Sequence, residues 1–456
     1  RFSDVPVSQQ DSDILQRNII MSHACGVGEP LPQEVVRAMI LLRANSLAKG
    51  YSGVRPAVVD FLLEMLNRRV HPVVPSKGSV GASGDLIPLA HMALSMLGLG
   101  EVEYRGKVRP AEQALLEAGL HPLTLTAKEG LALINGTQYM SALGALALLD
   151  AVELFRNATI AAALSFEALE GIASAFAPQV HSVRPHAGQR ICAALMLKLI
   201  QESDLLTRQK QKRVQDAYTL RCIPQVHGAT LDALAYIRGV LEVEINAATD
   251  NPLIFPAGGE VISCGNFHGQ PLALALDFLA VAVNELGNIS ERRIERLVNP
   301  ALNNGLPAFL TANGGLNSGL MLLQYTAAAL VSEGKVLAHP ASVDSIPTSG
   351  NQEDHVSMGS VAAYKARRVV ENITWVISAE LLAASRALTF AKHRIGRGSG
   401  AAFRLLCERL PREEGDRILY QDLQAVQQLV QSGALVGVVE EMVGELELPE
   451  RHHRGV

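Results

Sequence analysis

The chain has 456 residues and a formal net charge of −5; 48% of its residues are hydrophobic and only 4% are aromatic. The mild acidity argues against nucleic-acid binding, which normally requires a basic face, and a chain of this length can bury a large core. Its five cysteines contain no CxxC pair, which argues against a disulfide framework or a structural zinc site and favours a reduced, cytoplasmic location.

Apolar residues recur at helical spacing along most of the chain and predict an all-α fold. The predicted helices span residues 14–24, 32–48, 54–66, 86–97, 138–170 (one helix or two), 227–248, 270–296, 319–337, 356–390 and 421–430. Helices of twenty residues and more indicate a bundle of long, roughly parallel helices. No stretch reaches the ~18 uninterrupted apolar residues of a membrane span, so we expect no membrane association.

The predicted organisation has two regions that together form one intertwined catalytic unit. The alternating residues 102–108 predict a short β-hairpin within a smaller, mostly helical N-terminal region, residues 1–165. Residues 166–456 are expected to form the long-helix bundle and the C-terminal helices. Polar connections between the helices suggest a site built on a rigid scaffold, namely residues 78–85, 135–138, 214–221, 263–268 and 351–355.

The glycine-rich loop 78–86 reads Gly-Ser-Val-Gly-Ala-Ser-Gly-Asp-Leu and has three interpretations. It could be a turn that caps the next helix through Ser83 or Asp85. A phosphate-binding loop is disfavoured because the Gly-Lys-Ser/Thr ending is missing. It could also modify itself: the Gly84 nitrogen attacks the Ala82 carbonyl, and loss of two waters, one with the Ser83 hydroxyl, leaves the electrophile 4-methylideneimidazol-5-one (MIO). Ala-Ser-Gly alone is too common to decide between them.

Residues 78–91 as a whole resemble the electrophile loop of the aromatic amino acid ammonia-lyase family. Further segments similar to that family follow in its order, at residues 128–137, 214–222, 249–253, 265–268 and 351–358. The resemblance runs from about residue 1 to about residue 435. It implies elimination of ammonia by an MIO group formed from Ala82, Ser83 and Gly84, without an external cofactor. It also implies a homotetramer whose sites are shared between subunits.

Two residue pairs resemble the branch of the family that acts on L-histidine, namely Ser22-His23 and Gln352-Glu353. An imidazole offers an N–H donor, for which Glu353 is a charge-assisted acceptor, whereas a phenyl ring would leave that carboxylate unpaired. Three alternatives remain open: a tyrosine or phenylalanine ammonia-lyase, an aminomutase that returns the ammonia to the β-carbon, and a non-catalytic helical scaffold.

The resemblance implies catalytic roles for Asn135, Tyr218 and Glu353 beside the electrophile tripeptide. Asn135 would hydrogen-bond the electrophile's oxygen and the substrate, although an asparagine there could also cap a helix. Tyr218 would contact the electrophile or assist proton transfer; otherwise it is a half-buried packing residue. Arg221 would bind the substrate carboxylate with its planar guanidinium; otherwise it forms a surface ion pair.

Other residues are implied to line the substrate site, namely His23, Gln215, Phe267 and Gln352. Each has a plainer interpretation, in the core or in satisfying backbone groups. Asp85 is expected either to assist ring closure or to cap the following helix. No histidine has HExxH-like spacing, so no metal is expected. The family's inner loop, Tyr-Gly-x-x-Thr-Gly-Phe-Gly with a presumed catalytic Tyr, would precede Arg1, and we expect the sequence to start inside a longer chain.

Overall fold

The structure is a computed structural model that describes residues 7–8, 11–411 and 415–446. It is 60% helical and 6% strand, which confirms the predicted all-α class. The helices are α1 (Ser12–His23), α2 (Gln33–Ala48), α3 (Pro56–Asn67), α4 (Leu86–Met96), α5 (Ala111–Glu117), α6 (Glu129–Ile134), α7 (Gln138–Ala168), α8 (Pro178–Ser182), α9 (Ala187–Leu199), α10 (Tyr218–Arg221), α11 (Ile223–Glu244), α12 (Gln270–Val298), α13 (Met321–Leu337), α14 (Gly359–Leu388), α15 (Arg397–Arg409), α16 (Leu419–Gln431) and α17 (Ala434–Val443).

The strands are short. They are β1 (Val27–Pro30), β2 (His71–Pro72), β3 (Pro75–Lys77), β4 (Glu101–Tyr104), β5 (Lys107–Pro110), β6 (Leu253–Phe255) and β7 (Glu260–Ile262). The predicted hairpin is confirmed, because β4 and β5 pair antiparallel from Tyr104↔Lys107 to Glu101↔Pro110. Strand β2 extends this pair to three strands.

Helix α7 is a single element of 31 residues, where the sequence left open one helix or two. Its Ala- and Leu-rich composition favours helix throughout. A Cβ at Gly144 would lie only 2.7 Å from the end of the Leu276 side chain, so a larger residue there would require that side chain to shift.

The chain divides into two compact units, each made of three stretches. Unit 1 comprises Arg1–Leu146, Arg238–Asp277 and Pro340–Ala366, and unit 2 comprises Ala147–Ile237, Phe278–His339 and Arg367–Val456. In unit 1, β1 pairs with β3 at Val27↔Lys77, which brings the turn after α1 beside the start of the glycine-rich loop.

Unit 2 contains a fully buried ion pair between Arg293 and Glu380, with Nε–Oε1 and Nη2–Oε2 distances of 2.5 and 2.8 Å. The Ser165 hydroxyl also donates to Glu380, at 2.7 Å. A buried carboxylate with three such donors is tolerated, whereas removing one ionic partner would leave a charge uncompensated in the core.

Two stretches, Glu129–Ala168 and Gln270–Val298, are long and apolar enough to cross a membrane by length and composition alone. In the most apolar part of each, 67% and 72% of the residues are buried inside the protein. Core helices of large proteins have this same character, so the two stretches are weak evidence for membrane insertion.

Candidate active site

The glycine-rich loop enters α4 through a sharply bent backbone at Gly84, whose φ is +69°. A Cβ at Gly84 would overlap the carbonyl oxygen of Gly136, so glycine is required for conformation and for space. That oxygen accepts the backbone N–H of Asp85 at 2.7 Å. The Gly84 peptide, whose nitrogen is the expected nucleophile in ring closure, is therefore packed against the loop between α6 and α7.

Asp85 is fully buried and does not cap α4, since its side chain bonds no N–H of that helix. Its carboxylate instead accepts the backbone N–H of Met140, at 2.9 Å, and the hydroxyl of Ser360, at 2.7 Å. Burial raises the pKa of Asp85 to about 7, although these hydrogen bonds oppose the shift. Of the two interpretations of Asp85, side-chain capping of α4 is therefore wrong. The other, assistance of ring closure, stays a prediction that a buried carboxyl able to hold a proton supports.

The start of α14 is bonded to the same loop. The Met358 N–H donates to the Val80 carbonyl at 2.9 Å, and the Ser357 hydroxyl donates to the Gly81 carbonyl at 2.9 Å. Our sequence analysis assigned no role to Ser357 or Ser360. The available signal was that Ser357 lies inside the 351–358 motif and Ser360 two residues beyond it.

Ser83 and Glu353 are in direct contact. The Ser83 hydroxyl donates to Glu353 Oε1 at 2.8 Å, and the Thr348 hydroxyl donates to Oε2 at 2.6 Å. Burial raises the pKa of Glu353, but the hydrogen bonds from Thr348, Ser83 and Ser349 and the nearby His23 outweigh it, so the net pKa is lowered. An ionised acceptor therefore lies beside the predicted electrophile. Thr348 carried no signal in the sequence.

Asn135 follows the last residue of α6 and is not a helix N-cap, so that interpretation was wrong. Its Nδ2 donates to the Asn251 carbonyl at 3.0 Å and lies 3.4 Å from Asp250 Oδ1. Its Oδ1 is buried and has no hydrogen-bond partner in the part of the chain that the structure describes. The side chain thus offers an acceptor, rather than a donor, to any ligand.

The remaining predicted residues of unit 1 differ in exposure. His23 ends α1 and is half-buried, and the following turn is held by His91 Nε2, which accepts the Gly26 N–H at 3.0 Å. Phe267 is half-buried in the turn before α12, and Gln352 is exposed after a short 3₁₀ turn.

The predicted residues of unit 2 form a second group. Tyr218 and Arg221 are the first and last residues of α10, and the Arg221 guanidinium lies over the Tyr218 ring, 4.7 Å from its centre. Tyr218 is 70% exposed, although Arg221 Nε is buried and unpaired. Gln215 is exposed just before this helix.

The residues around the tripeptide fit the MIO group. Gly84 has a positive φ and packs against the Gly136 carbonyl, and the Ser83 hydroxyl that ring closure would remove is held by Glu353. Among the described residues, no group of three or more His, Cys, Asp or Glu side chains could hold a metal ion.

Comparison with known proteins identifies the family. The sequence model of the aromatic amino acid lyase family matches residues 1–408. The chain is 59% identical over 442 residues to histidine ammonia-lyase of Caldanaerobacter subterraneus subsp. tengcongensis, covering 97% of this chain and 87% of that protein. It is 58% identical over 448 residues to histidine ammonia-lyase of Symbiobacterium thermophilum, covering 98% and 88%.

Among solved structures, histidine ammonia-lyase from Trypanosoma cruzi has a TM-score of 0.91 at 46% identity, covering 99% of this chain and 88% of that one. Tyrosine aminomutase from Streptomyces globisporus has a TM-score of 0.92 at 38% identity, covering 97% and 88%. The fold therefore does not separate lyases from aminomutases. The extent of the family match and these identities show that the chain is a carbon–nitrogen lyase belonging to the aromatic amino acid lyase family.

Proposed function

We propose that the protein removes ammonia from L-histidine to give trans-urocanate, the first step of histidine degradation, with an MIO group formed from Ala82, Ser83 and Gly84. The observation that carries this proposal is the carboxylate of Glu353, 2.8 Å from the Ser83 hydroxyl and with a lowered pKa. The names of the similar histidine ammonia-lyases support the choice of substrate.

Glu353 explains selectivity for histidine. Its carboxylate is half-buried and is held by Thr348, so it accepts an N–H from an imidazole at little reorganisation. A phenyl ring has no N–H or O–H to donate, and its binding would desolvate the charge without a partner. We assign His23, whose charge acts on Glu353, to the same end of the substrate.

When present, the MIO group supplies an electrophilic carbon for the substrate amine. The residues of the chain bind the substrate and move its proton. Asn135 Oδ1, buried and unpaired, accepts an N–H of the substrate amine. We expected Asn135 to hydrogen-bond the electrophile's oxygen instead. That bond would need the Asn135 amide nitrogen as donor, and this nitrogen already donates to the Asn251 carbonyl.

We assign the second group of residues to the amino acid end and to proton transfer. Arg221 binds the substrate carboxylate, and Tyr218 assists removal of the β-proton. Gln215, Gln352 and Phe267 line the site. Because Tyr218 is 70% exposed in a single chain, we propose a homotetramer in which one copy completes the site of another. The proposed location is the cytoplasm, as expected from the cysteine usage.

The proposal is tested by following urocanate formation in the ultraviolet with L-histidine, L-tyrosine and L-phenylalanine, beside Ser83→Ala as the matched control. We expect product from histidine alone, none from Ser83→Ala, and an intact mass lower by two waters only in the wild type. Cinnamate or coumarate would reassign the substrate. A β-amino acid, detected by chromatography, would make the protein an aminomutase. No product together with an unreduced mass would leave the scaffold interpretation.

A further inference from the structure

The Gly136 peptide is enclosed on two sides. On one side its carbonyl oxygen accepts the Asp85 N–H at 2.7 Å and packs against Gly84. On the other side a Cβ at Gly136 would overlap the Arg43 guanidinium and the Gln138 side-chain oxygen. The position of Gly84 thus depends on a peptide that itself rests on Arg43.

Arg43 is among the largest fully buried side chains in the described part of the protein. Its guanidinium donates to Gln138 Oε1 at 2.9 Å, to the Thr249 carbonyl at 3.1 Å, and to the Ala132 carbonyl. These acceptors lie in α6, at the first residue of α7, and just before Asp250. One planar cation therefore joins the two ends of the 135–137 loop to the segment behind it.

Burial lowers the pKa of Arg43 to about 10, and the carboxylate of Asp250 opposes the shift, so the group remains charged at neutral pH. Asp250 is itself paired with Lys128 at 2.6 Å, and its other oxygen lies 3.4 Å from Asn135 Nδ2. Because Asp250 is shared with Lys128, it compensates only part of the cost of burying the Arg43 cation, so stability alone does not explain this residue. Its contacts instead surround the loop that meets the electrophile tripeptide.

We propose that Arg43 is a positioning residue for closure of the Ala82-Ser83-Gly84 ring. Its guanidinium packs against the Gly136 peptide, whose carbonyl contacts Gly84 and Asp85 on the other side. The inference rests on the proposed function. In the closure, the Gly84 nitrogen bonds to the Ala82 carbonyl carbon, and that oxygen leaves as water with the protons of the Gly84 and Ser83 nitrogens. A second water takes the Ser83 hydroxyl and its Cα proton, so no oxidant or reductant is needed.

The test is Arg43→Lys, with Arg37→Lys on the same helix as the matched control. Lysine keeps the charge but cannot reach three divergent acceptors, whereas Arg37 donates to Leu66 O, away from the loop. Intact mass is measured at successive times after synthesis begins, and folding is checked by circular dichroism and thermal unfolding. We expect closure in Arg43→Lys to slow by about 100-fold, as for a misplacement of about 1 Å between reacting groups, with Arg37→Lys unchanged.

A folded Arg43→Lys protein that loses two waters as fast as Arg37→Lys would overturn the inference, even if its thermal midpoint is lower. If Arg43→Lys does not fold, Gln138→Met decides. That variant removes one acceptor of the guanidinium, so slower closure supports the inference and an unchanged rate overturns it. A wild-type protein of full, unreduced mass would instead refute the proposed ring itself.

Discussion

At the scale of single residues, Glu353 shows how hydrogen bonds can outweigh burial. Desolvation alone would favour its neutral form, yet the hydroxyls of Thr348, Ser83 and Ser349 stabilise the charge and lower its pKa. In the proposed ring closure Ser83 would lose its hydroxyl, and Glu353 would lose one of these donors. On the proposed function, a substrate imidazole would then supply an N–H to Oε1, which would link maturation of the site to its selectivity.

We predict that Glu353→Gln lowers kcat/KM for L-histidine roughly 10- to 150-fold, the range of a hydrogen bond to a charged group of about 1.5–3 kcal/mol. The amide can still accept from Thr348, so folding and the two-water mass loss should be kept. Steady-state kinetics and intact mass provide the measurements. Glu333→Gln, which changes an exposed ion pair with Arg368, is the control. Equal kinetics in both variants would remove Glu353 from substrate recognition.

At the scale of elements, Asp85 joins the first residues of three helices. It immediately precedes α4, accepts the N–H of Met140 in the first turn of α7, and accepts the hydroxyl of Ser360 in the first turn of α14. Helix N-termini favour a negative charge, but complete burial opposes it. The pKa of about 7 shows that burial prevails, so this junction is most stable with a protonated carboxyl.

A dependence of stability on pH follows. The Asp85 carboxyl has an ordinary pKa of 3.8, which is raised to about 7 in the folded protein, so its contribution is complete below 3.8 and is lost as pH rises through 7. We predict that wild type loses free energy of unfolding relative to Asp85→Asn between pH 4 and pH 7, as measured by denaturant titration. Buried histidines act equally in both proteins and cancel. A pH-independent difference would contradict the raised pKa.

Sequence periodicity predicted the long helices because each needs only its own apolar pattern. It missed α9 and α15, which are 13 residues each and rich in glycine or polar residues at their starts. The pairing of β1 with β3 was also missed, since it joins short strands that are far apart in the chain. The proposed electrophile loop was identified through the resemblance of residues 78–91 to the family, because the tripeptide alone did not decide. The contacts of Thr348, Ser360 and Arg43 depend on folding that brings distant segments together, so the sequence assigned these residues no role.

At the scale of the whole molecule, unit 2 exposes large apolar side chains on three of its helices. Tyr236 of α11 is 54% exposed and Phe278 of α12 is 44% exposed, with ring centres 6.1 Å apart, while Tyr325 of α13 is 63% exposed. A groove of about 530 Å³ between α12 and α13 lies in the same unit. Exposed apolar side chains clustered in this way are typical of a subunit interface, and the buried Asn284 Oδ1 at the groove has no hydrogen-bond partner among the described residues.

We therefore predict that Phe278→Glu weakens assembly of the proposed homotetramer. Each copy would lose burial of the part of Phe278 that is exposed in the single chain, roughly 1 kcal/mol, and would place a charge in the contact, which together shift dissociation at least about 10-fold toward smaller species. Light scattering over a range of protein concentration measures this, with Gln421→Glu at an exposed position of α16 as the control. If copies complete one another's sites, activity should fall with the tetramer fraction while the two-water mass loss persists. A tetramer of unchanged stability would place the interface on another face, and a fully active monomer would refute the shared site.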